Sequence, residues 1–163
     1  MKTMLAFATA FAVLIGSCAA QDGARPDIIS FGDSVGQMER ALLDSCTTMA
    51  TRETQPFMPI HTKQHQIDCE GFDYFGAPRK AEFVFGDDAL IFVWILTEKS
   101  EEAELEQAFK RLYGTPTHET AAFTAFADDH AAVRKDIPEA LFYSPEIADQ
   151  YRAFFDGQAA GGQ

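Results

Sequence analysis

Two histidines and two cysteines have a spacing that could bind a metal ion. His61, His65 and Cys69 recur at intervals of four residues, and Cys46 lies upstream of them. Such a set could form a Cys2His2 zinc site. The segment from 61 to 69 reads as loop and strand, and four residues of a strand advance by about 13 Å, which is too far for one ion without a bend. The spacing therefore disfavours a zinc site, and metal binding through His61 and His65 is only an alternative function.

Ser34 is a second residue with chemical potential. The segment from Ile28 to Ser34 reads Ile-Ile-Ser-Phe-Gly-Asp-Ser and resembles the first block of the GDSL (SGNH) esterase family, in which the serine is the nucleophile. That resemblance implies a small hydrolase, but the family also needs an oxyanion-hole asparagine and a late Asp-x-x-His. This chain has no asparagine, and none of its histidines has an aspartate three residues earlier. Capping of a helix by Asp33 or Ser34 explains the same residues.

Two pairs of adjacent aspartates could bind calcium or act as an acid and a base. Asp87-Asp88 occurs in Phe-Gly-Asp-Asp, and Asp128-Asp129 occurs in Phe-Ala-Asp-Asp. Neighbouring side chains on a tight turn point in different directions, which disfavours joint coordination of one ion. We expect both pairs to be solvated turn tips, where aspartate tolerates the bent backbone.

A dense group of aromatic residues lies between two glycines. Phe72, Tyr74 and Phe75 fall within the segment bounded by Gly71 and Gly76. Exposed aromatic side chains are typical of a ligand or partner surface, whereas buried ones contribute large areas to a core. Both interpretations are open from the sequence: a groove for a ligand or partner, or a lid on the core.

The N-terminal segment is predicted to be a bacterial export signal at residues 1–20. Lys2 precedes an apolar run at residues 4–15, which is shorter than the roughly 18 to 20 residues that span a bilayer. The sequence Ile-Gly-Ser-Cys ending at Cys18 resembles the lipobox of bacterial lipoproteins, which implies cleavage before Cys18 and a lipid on that residue. Ordinary cleavage after Ala20 would instead release a soluble chain, and the sequence leaves both routes open.

The charge balance restricts the partners of the mature chain. Removal of the signal takes away Lys2 and no acid, which leaves 12 basic and 25 acidic side chains and a formal net charge of −13. Such a surface repels nucleic acid and anionic lipid headgroups. We therefore expect no nucleic-acid partner, and contact with a membrane only through a lipid anchor.

Two cysteines remain after either processing route. Cys18 is lipidated or removed, so Cys46 and Cys69 are left in an oxidising compartment, where pairing is favoured over a free thiol or a zinc site. The sequence predicts a disulfide between them.

Periodicity and turn residues predict an α+β domain with a mainly antiparallel sheet of about five to six strands packed by two to three helices. The predicted order is α-βββ-α-βββ-α, with a loop over residues 51–59 and a central strand at 90–96. The apolar stripes place Leu112 and Phe154 on buried helix faces. The predicted helices are 34–49, 100–113 and 144–156, and the predicted strands are 65–69, 80–85, 89–97, 122–127, 131–135 and 140–143.

These patterns predict an exported domain whose role is binding and not catalysis. A tether at residues 21–27 leads into one domain at 28–156, followed by a disordered tail at 157–163. The mature protein is expected in the periplasm, released or tethered by lipid, and no residue pattern indicates a cofactor. Its partner would be an envelope protein or a small ligand, bound through a sheet face or the loops at 51–62 and 72–79.

Overall fold

Apolar and β-branched runs in the middle of the chain pair into one antiparallel sheet. The computed structural model describes residues 23–161, and eight strands lie within them. They are β1 (Thr48–Thr54), β2 (Gln64–Tyr74), β3 (Ala77–Gly86), β4 (Ala89–Leu96), β5 (His118–Glu119), β6 (Phe123–Phe126), β7 (Ala131–Arg134) and β8 (Glu139–Tyr143). Their order in the sheet is β1-β2-β3-β4-β8-β7-β6-β5. The α+β class is confirmed, with more strands than the five to six predicted.

Helices cover both faces of the sheet. They are α1 (Val35–Leu42), α2 (Glu102–Tyr113) and α3 (Ala148–Gly161). Leu42 and Phe109, from α1 and α2, belong to one buried cluster, whereas Tyr151 and Phe155 of α3 belong to another. Sheet residues alternate between the two clusters because successive residues of a strand point to opposite faces. The sheet therefore has α1 and α2 on one face and α3 on the other.

The element order divides the fold into two halves, each a helix followed by four strands in a meander. The halves join where β4 pairs with β8, with Trp94 opposite Leu141. Most of β4 is buried, as predicted for a central strand. The turn at Asp87-Asp88 joins the third and fourth strands of its half, but the turn at Asp128-Asp129 follows the second. The shared sequence of the two turns therefore does not mark equivalent positions.

The largest departure from the sequence prediction lies between residues 43 and 54. Helix α1 ends at Leu42, whereas the periodicity predicts a helix to Met49. Residues 48–54 form β1 instead of the end of a helix and the start of a loop, and Met49 pairs with Cys69. Strand β1 is a polar, mostly exposed edge strand, so it lacks the alternation that identifies strands in a sequence. Its conformation is decided by pairing with β2.

The second and third predicted helices are present, but their ends or buried faces differ in detail. Helix α3 continues to Gly161, beyond residue 156 and into the segment predicted to be disordered. Leu112 is 46% exposed and Phe154 is 40% exposed, so the inward positions predicted for both are wrong. In α3 the buried face consists of Tyr151 and Phe155, which leaves Phe154 beside it at the surface.

The predicted export signal, both cleavage sites and Cys18 lie outside the described residues, as do residues 21–22 of the tether and 162–163 of the tail. The described chain begins at Gly23, whose carbonyl accepts a hydrogen bond from the Tyr74 hydroxyl at 2.9 Å. Within residues 23–161, no helix has the length and apolar content needed to cross a membrane.

The predicted disulfide between Cys46 and Cys69 is confirmed. It links the turn after α1 to β2, with the two Cα atoms 5.3 Å apart. Cys69 is fully buried in the cluster beneath α1 and α2, and Cys46 packs against that cluster. Because both sulfur atoms are bonded to each other, neither is available as a thiolate ligand for a metal ion.

Loss of the disulfide is expected to lower the free energy of unfolding by about 3 kcal/mol, because the unfolded chain regains the freedom of a loop closed over 23 residues. Urea denaturation of the double variant Cys46→Ala/Cys69→Ala measures the loss. Wild-type protein unfolded with a reducing agent present is the matched control and should approach the variant. Equal stability of the oxidised protein and the double variant would contradict the prediction.

Candidate functional site

An apolar groove opens between α3 and the loop of residues 55–61, which we call the Phe57 loop. Its volume is about 470 Å³, within the usual range of ligand sites. Phe57 is 51% exposed on the loop side and Phe154 is 40% exposed on the helix side. The main lining residues are Phe57, Met58 and Pro59 from the loop, and Gln150, Tyr151, Ala153 and Phe154 from α3.

An aromatic row on the sheet packs beneath the residues that line the groove. The Phe92 ring lies 5.0 Å from the Phe57 ring and 4.9 Å from the Tyr151 ring, measured between centroids. Trp94 continues the row along β4, with its ring stacked 6.2 Å from Phe92. The exposed Phe154 contacts both Tyr151 and Phe123. The lining of the groove is therefore apolar except for Gln150, and buried aromatic rings of the sheet support it.

The Phe57 loop is held in place by the turn between β3 and β4. The Asp87 carboxylate accepts hydrogen bonds from the Thr62 hydroxyl at 2.7 Å and from the Lys63 amide at 2.9 Å. The same carboxylate lies 3.5 Å from Nδ1 of the buried His61. Asp87 is therefore not only a solvated turn tip, as the sequence suggested. Its hydrogen bonds hold in place the end of the loop that forms one wall of the groove.

Asp88 and Asp128 of the two acidic turns also have structural roles. Asp88 accepts a hydrogen bond from the Val35 amide at 3.1 Å, at the start of α1. Asp128 forms an ion pair with Arg152 of α3. Both residues of the first pair adopt a positive φ, which confirms the expectation that aspartate tolerates the bent backbone there. These contacts link the turns to helices that precede and follow them.

Helix α3, the second wall, is fixed to the sheet by packing and by a polar contact. The Phe155 ring is buried against Phe123, with the centroids 5.5 Å apart. Tyr151 stacks on Tyr143 at 4.8 Å. Further along the helix, Nε2 of His118 lies 2.9 Å from the Asp156 carboxylate. Both walls of the groove are therefore held by contacts to the sheet or its turns.

Beyond the groove, the same sheet face carries charged residues that pair with one another. Arg134 lies over Trp94 at 5.6 Å, and its Nη1 is 3.3 Å from the Glu139 carboxylate. Burial raises the pKa of Glu139 to about 7, although the Arg134 charge opposes that rise. Further along, Lys80 is 2.7 Å from Glu82. This part of the face is a self-paired polar surface that borders the aromatic row.

Ser34 caps α1 in the structure. Its hydroxyl donates to Oε1 of Gln37 at 2.8 Å and accepts a hydrogen bond from the Gln37 amide at 3.4 Å. The Ser34 amide donates to the same side-chain oxygen at 2.9 Å, which completes a capping box. The hydroxyl group that the esterase resemblance would make a nucleophile is thus engaged by a glutamine.

Ser34→Ala is expected to lower the free energy of unfolding by about 1 kcal/mol, as loss of a cap usually does. Urea denaturation measures the change, and Ser30→Ala, at an exposed serine four residues earlier, is the matched control. Both proteins would also be assayed against a panel of esters. Ester hydrolysis lost in Ser34→Ala but kept in Ser30→Ala would assign Ser34 a catalytic role and contradict a capping role alone.

The histidines and cysteines of the predicted metal site do not converge. Cys46 and Cys69 are joined, and His61 faces Asp87. His65 lies on β2 opposite Phe85, and its Nδ1 is buried without a hydrogen-bond partner. Within the part of the chain that the structure describes, no group of three or more His, Cys, Asp or Glu side chains is arranged to hold a metal ion.

The aromatic group at Phe72, Tyr74 and Phe75 is not a surface. All three side chains are buried in the cluster beneath α1 and α2, and Phe72 packs edge-on against Phe83 at 5.7 Å. The ligand or partner surface proposed for them is therefore wrong. The Phe57 loop lies within the binding segment predicted at 51–62. Its apolar run Phe-Met-Pro-Ile, which follows Pro56, was the sequence signal for this wall of the groove. No sequence pattern indicated that α3 would form the other wall of the groove.

No family model matches the chain, and no curated protein or solved structure is significantly similar to it. Any functional assignment therefore depends on the chemistry of the groove and its surroundings.

Asp87→Asn is expected to destabilise the protein at neutral pH and to have little effect in strong acid. The hydrogen bond from the Thr62 hydroxyl, and to a smaller extent that from the Lys63 amide, holds the pKa of Asp87 at about 2, below its ordinary value of 3.8. A lowered pKa stabilises the fold above about pH 4, and this stabilisation is lost as the pH falls through 2. Urea denaturation across this pH range measures the difference between the two proteins.

The control for that experiment is Asp129→Asn, at an exposed acid of the other turn. It should change the free energy of unfolding less than Asp87→Asn at neutral pH. A difference between wild type and Asp87→Asn that stays constant from pH 7 to pH 2 would contradict the role given to the Asp87 carboxylate.

Proposed function

We propose that this chain is a non-enzymatic binding domain of the bacterial periplasm and that the apolar groove is its binding site. The observation that carries the proposal is the exposure of Phe57 and Phe154 on facing walls of one groove. Large apolar side chains left exposed around a concave surface are typical of sites that bind another molecule. The proposed partner is a protein of the cell envelope that inserts apolar side chains between these walls.

Two features support export to an oxidising compartment. The N-terminal sequence has the charge, apolar run and small residues of an export signal. The bond between Cys46 and Cys69 is of a kind that persists outside the cytosol and is rare within it. The acidic composition disfavours nucleic acid as a partner. Intact mass of the exported protein distinguishes a chain lipidated at Cys18 from one that begins at Gln21.

The position of Gly23 bears on how a lipid anchor would orient the domain. Gly23 packs against Phe109 of α2 and bonds to Tyr74, on the face opposite the groove. The five residues from Cys18 to Gly23 span at most about 18 Å. A lipid on Cys18 would therefore hold the α1 and α2 face toward the membrane and leave the groove directed into the periplasm.

The variants Phe57→Ser and Phe154→Ser are expected to reduce partner binding at least tenfold. Removal of one large apolar contact costs about 1.5 to 3 kcal/mol, which corresponds to roughly ten- to a hundredfold in affinity. The exported protein would be immobilised and used to capture proteins from envelope extract, with quantitative mass spectrometry as the readout.

Leu112→Ser is the matched control, because Leu112 is 46% exposed on α2, away from the groove. It should capture the same protein as wild type. A specific partner that is retained equally by all four proteins would show that binding occurs elsewhere on the domain, and would contradict the proposal for the groove.

A further inference from the structure

The charges beside the groove are acidic. The Phe57 loop contains no Asp, Glu, Lys or Arg. Glu146 is exposed in the short 3-10 helix Pro145–Ile147 that leads into α3, and Asp149 is exposed in the first turn of α3. Residues four apart share a face of an α-helix, so Asp149 adjoins the groove-lining Ala153, and Glu146 lies three residues before Asp149 at the start of the same wall.

The basic residue of α3 does not offset these acids. Arg152 is paired with Asp128, and Asp156, the other acid of α3, contacts His118. In the described part of the chain, no ion pair engages Glu146 or Asp149. The groove therefore has an apolar interior and an acidic rim along one side.

The whole domain has the same excess of acid. Most of its basic residues are already committed to carboxylates, so few remain to balance the surplus on the surface. Eight of the 12 in the described part form ion pairs, namely Arg52, Arg79, Lys80, Lys99, Lys110, Arg134, Lys135 and Arg152. An approaching molecule thus meets a field that attracts cations, and this attraction acts over roughly 10 Å at 0.1 M salt.

We infer that the groove binds a cationic amphipathic segment of its partner protein. The apolar side chains of that segment lie between Phe57 and Phe154, and its Lys or Arg side chains lie beside Glu146 and Asp149. This inference rests on the proposed function and specifies the partner chemistry at the same site. A second copy of this chain fits poorly, because two acidic domains repel each other.

Trp94 provides a reporter for the test. It is the single tryptophan of the chain, and its ring stacks 6.2 Å from Phe92, which packs beneath the groove-lining Phe57 and Tyr151. An occupant that moves the Phe57 ring should change the packing of Phe92 and Trp94, and with it the tryptophan emission. Fluorescence titration can therefore follow binding without a label on the protein.

The probes are two synthetic 14-residue amphipathic peptides with identical Leu and Phe positions, one with Lys and one with Glu at every polar position. The Lys peptide is expected to bind at least tenfold more tightly than the Glu peptide. Its affinity should fall several-fold between about 50 and 500 mM NaCl, because salt screens the attraction. Phe154→Ser should weaken its binding about tenfold.

A pair of charge variants tests the rim. Glu146→Gln/Asp149→Asn should weaken binding of the Lys peptide several-fold and reduce the ratio of its affinity to that of the Glu peptide. The matched control is Asp27→Asn/Asp73→Asn, which removes the same charge from the hollow beside Cys46, away from the groove. It should leave most of the affinity unchanged.

Several results would overturn the inference. Equal affinity for the two peptides, lost in Phe154→Ser, would refute the cationic preference while leaving groove binding intact. If the rim variant and its control weaken binding of the Lys peptide equally, the attraction comes from the overall charge of the domain and not from the acidic rim. Failure of both peptides would also refute the inference, whereas the proposed function would then be decided by envelope capture. Self-association abolished by Phe154→Ser in sedimentation would favour a second copy as occupant.

Discussion

The pairing of β4 with β8 is the interaction on which the rest of the fold depends. It joins two meanders that are otherwise connected through α2, and it supplies side chains to both cores at once. Val93 and Phe142 belong to the cluster beneath α1 and α2, whereas Phe92 and Tyr143 belong to the cluster beneath α3. The pairing register fixes which side chains share a face of the sheet. A shift of one residue in this pairing would therefore turn the side chains of one strand toward the opposite faces.

The two faces that this pairing creates are covered unequally. On the first, α1 and α2 bury a continuous apolar cluster, closed further by the disulfide and by Phe72 and Tyr74. On the second, α3 covers only the half near β8, and the Phe57 loop covers the adjoining end. The gap between these two covers is the groove, and the remaining strands carry paired charges instead of apolar side chains. Incomplete cover thus creates the groove, and none of its lining residues has a positive φ.

Fixed walls give this site a defined shape before anything binds. Asp87 holds the Phe57 loop through hydrogen bonds to Thr62 and Lys63, and Phe155 and His118 hold α3. A preformed groove avoids part of the ordering cost of binding, so its exposed rings can contribute more of their contact energy to affinity. The acidic rim adds long-range attraction, which acts mainly on the rate of encounter and on the choice of partner.

Local patterns in the sequence were sufficient for the class of fold, α2 and the central strand, because strong periodicity and capping residues encode these elements directly. The disulfide followed from the predicted export, and the Ser34 cap from its neighbour Gln37. Strand β1 could not be recognised, because a polar edge strand has no apolar alternation and takes its conformation from β2. The burial of Phe72, the exposure of Phe154 and the bonding of Asp87 also depended on residues distant in the chain. The groove joins segments about 90 residues apart, so only the tertiary structure, through the packing of α3 on the β4 and β8 side of the sheet, decided that a groove exists there.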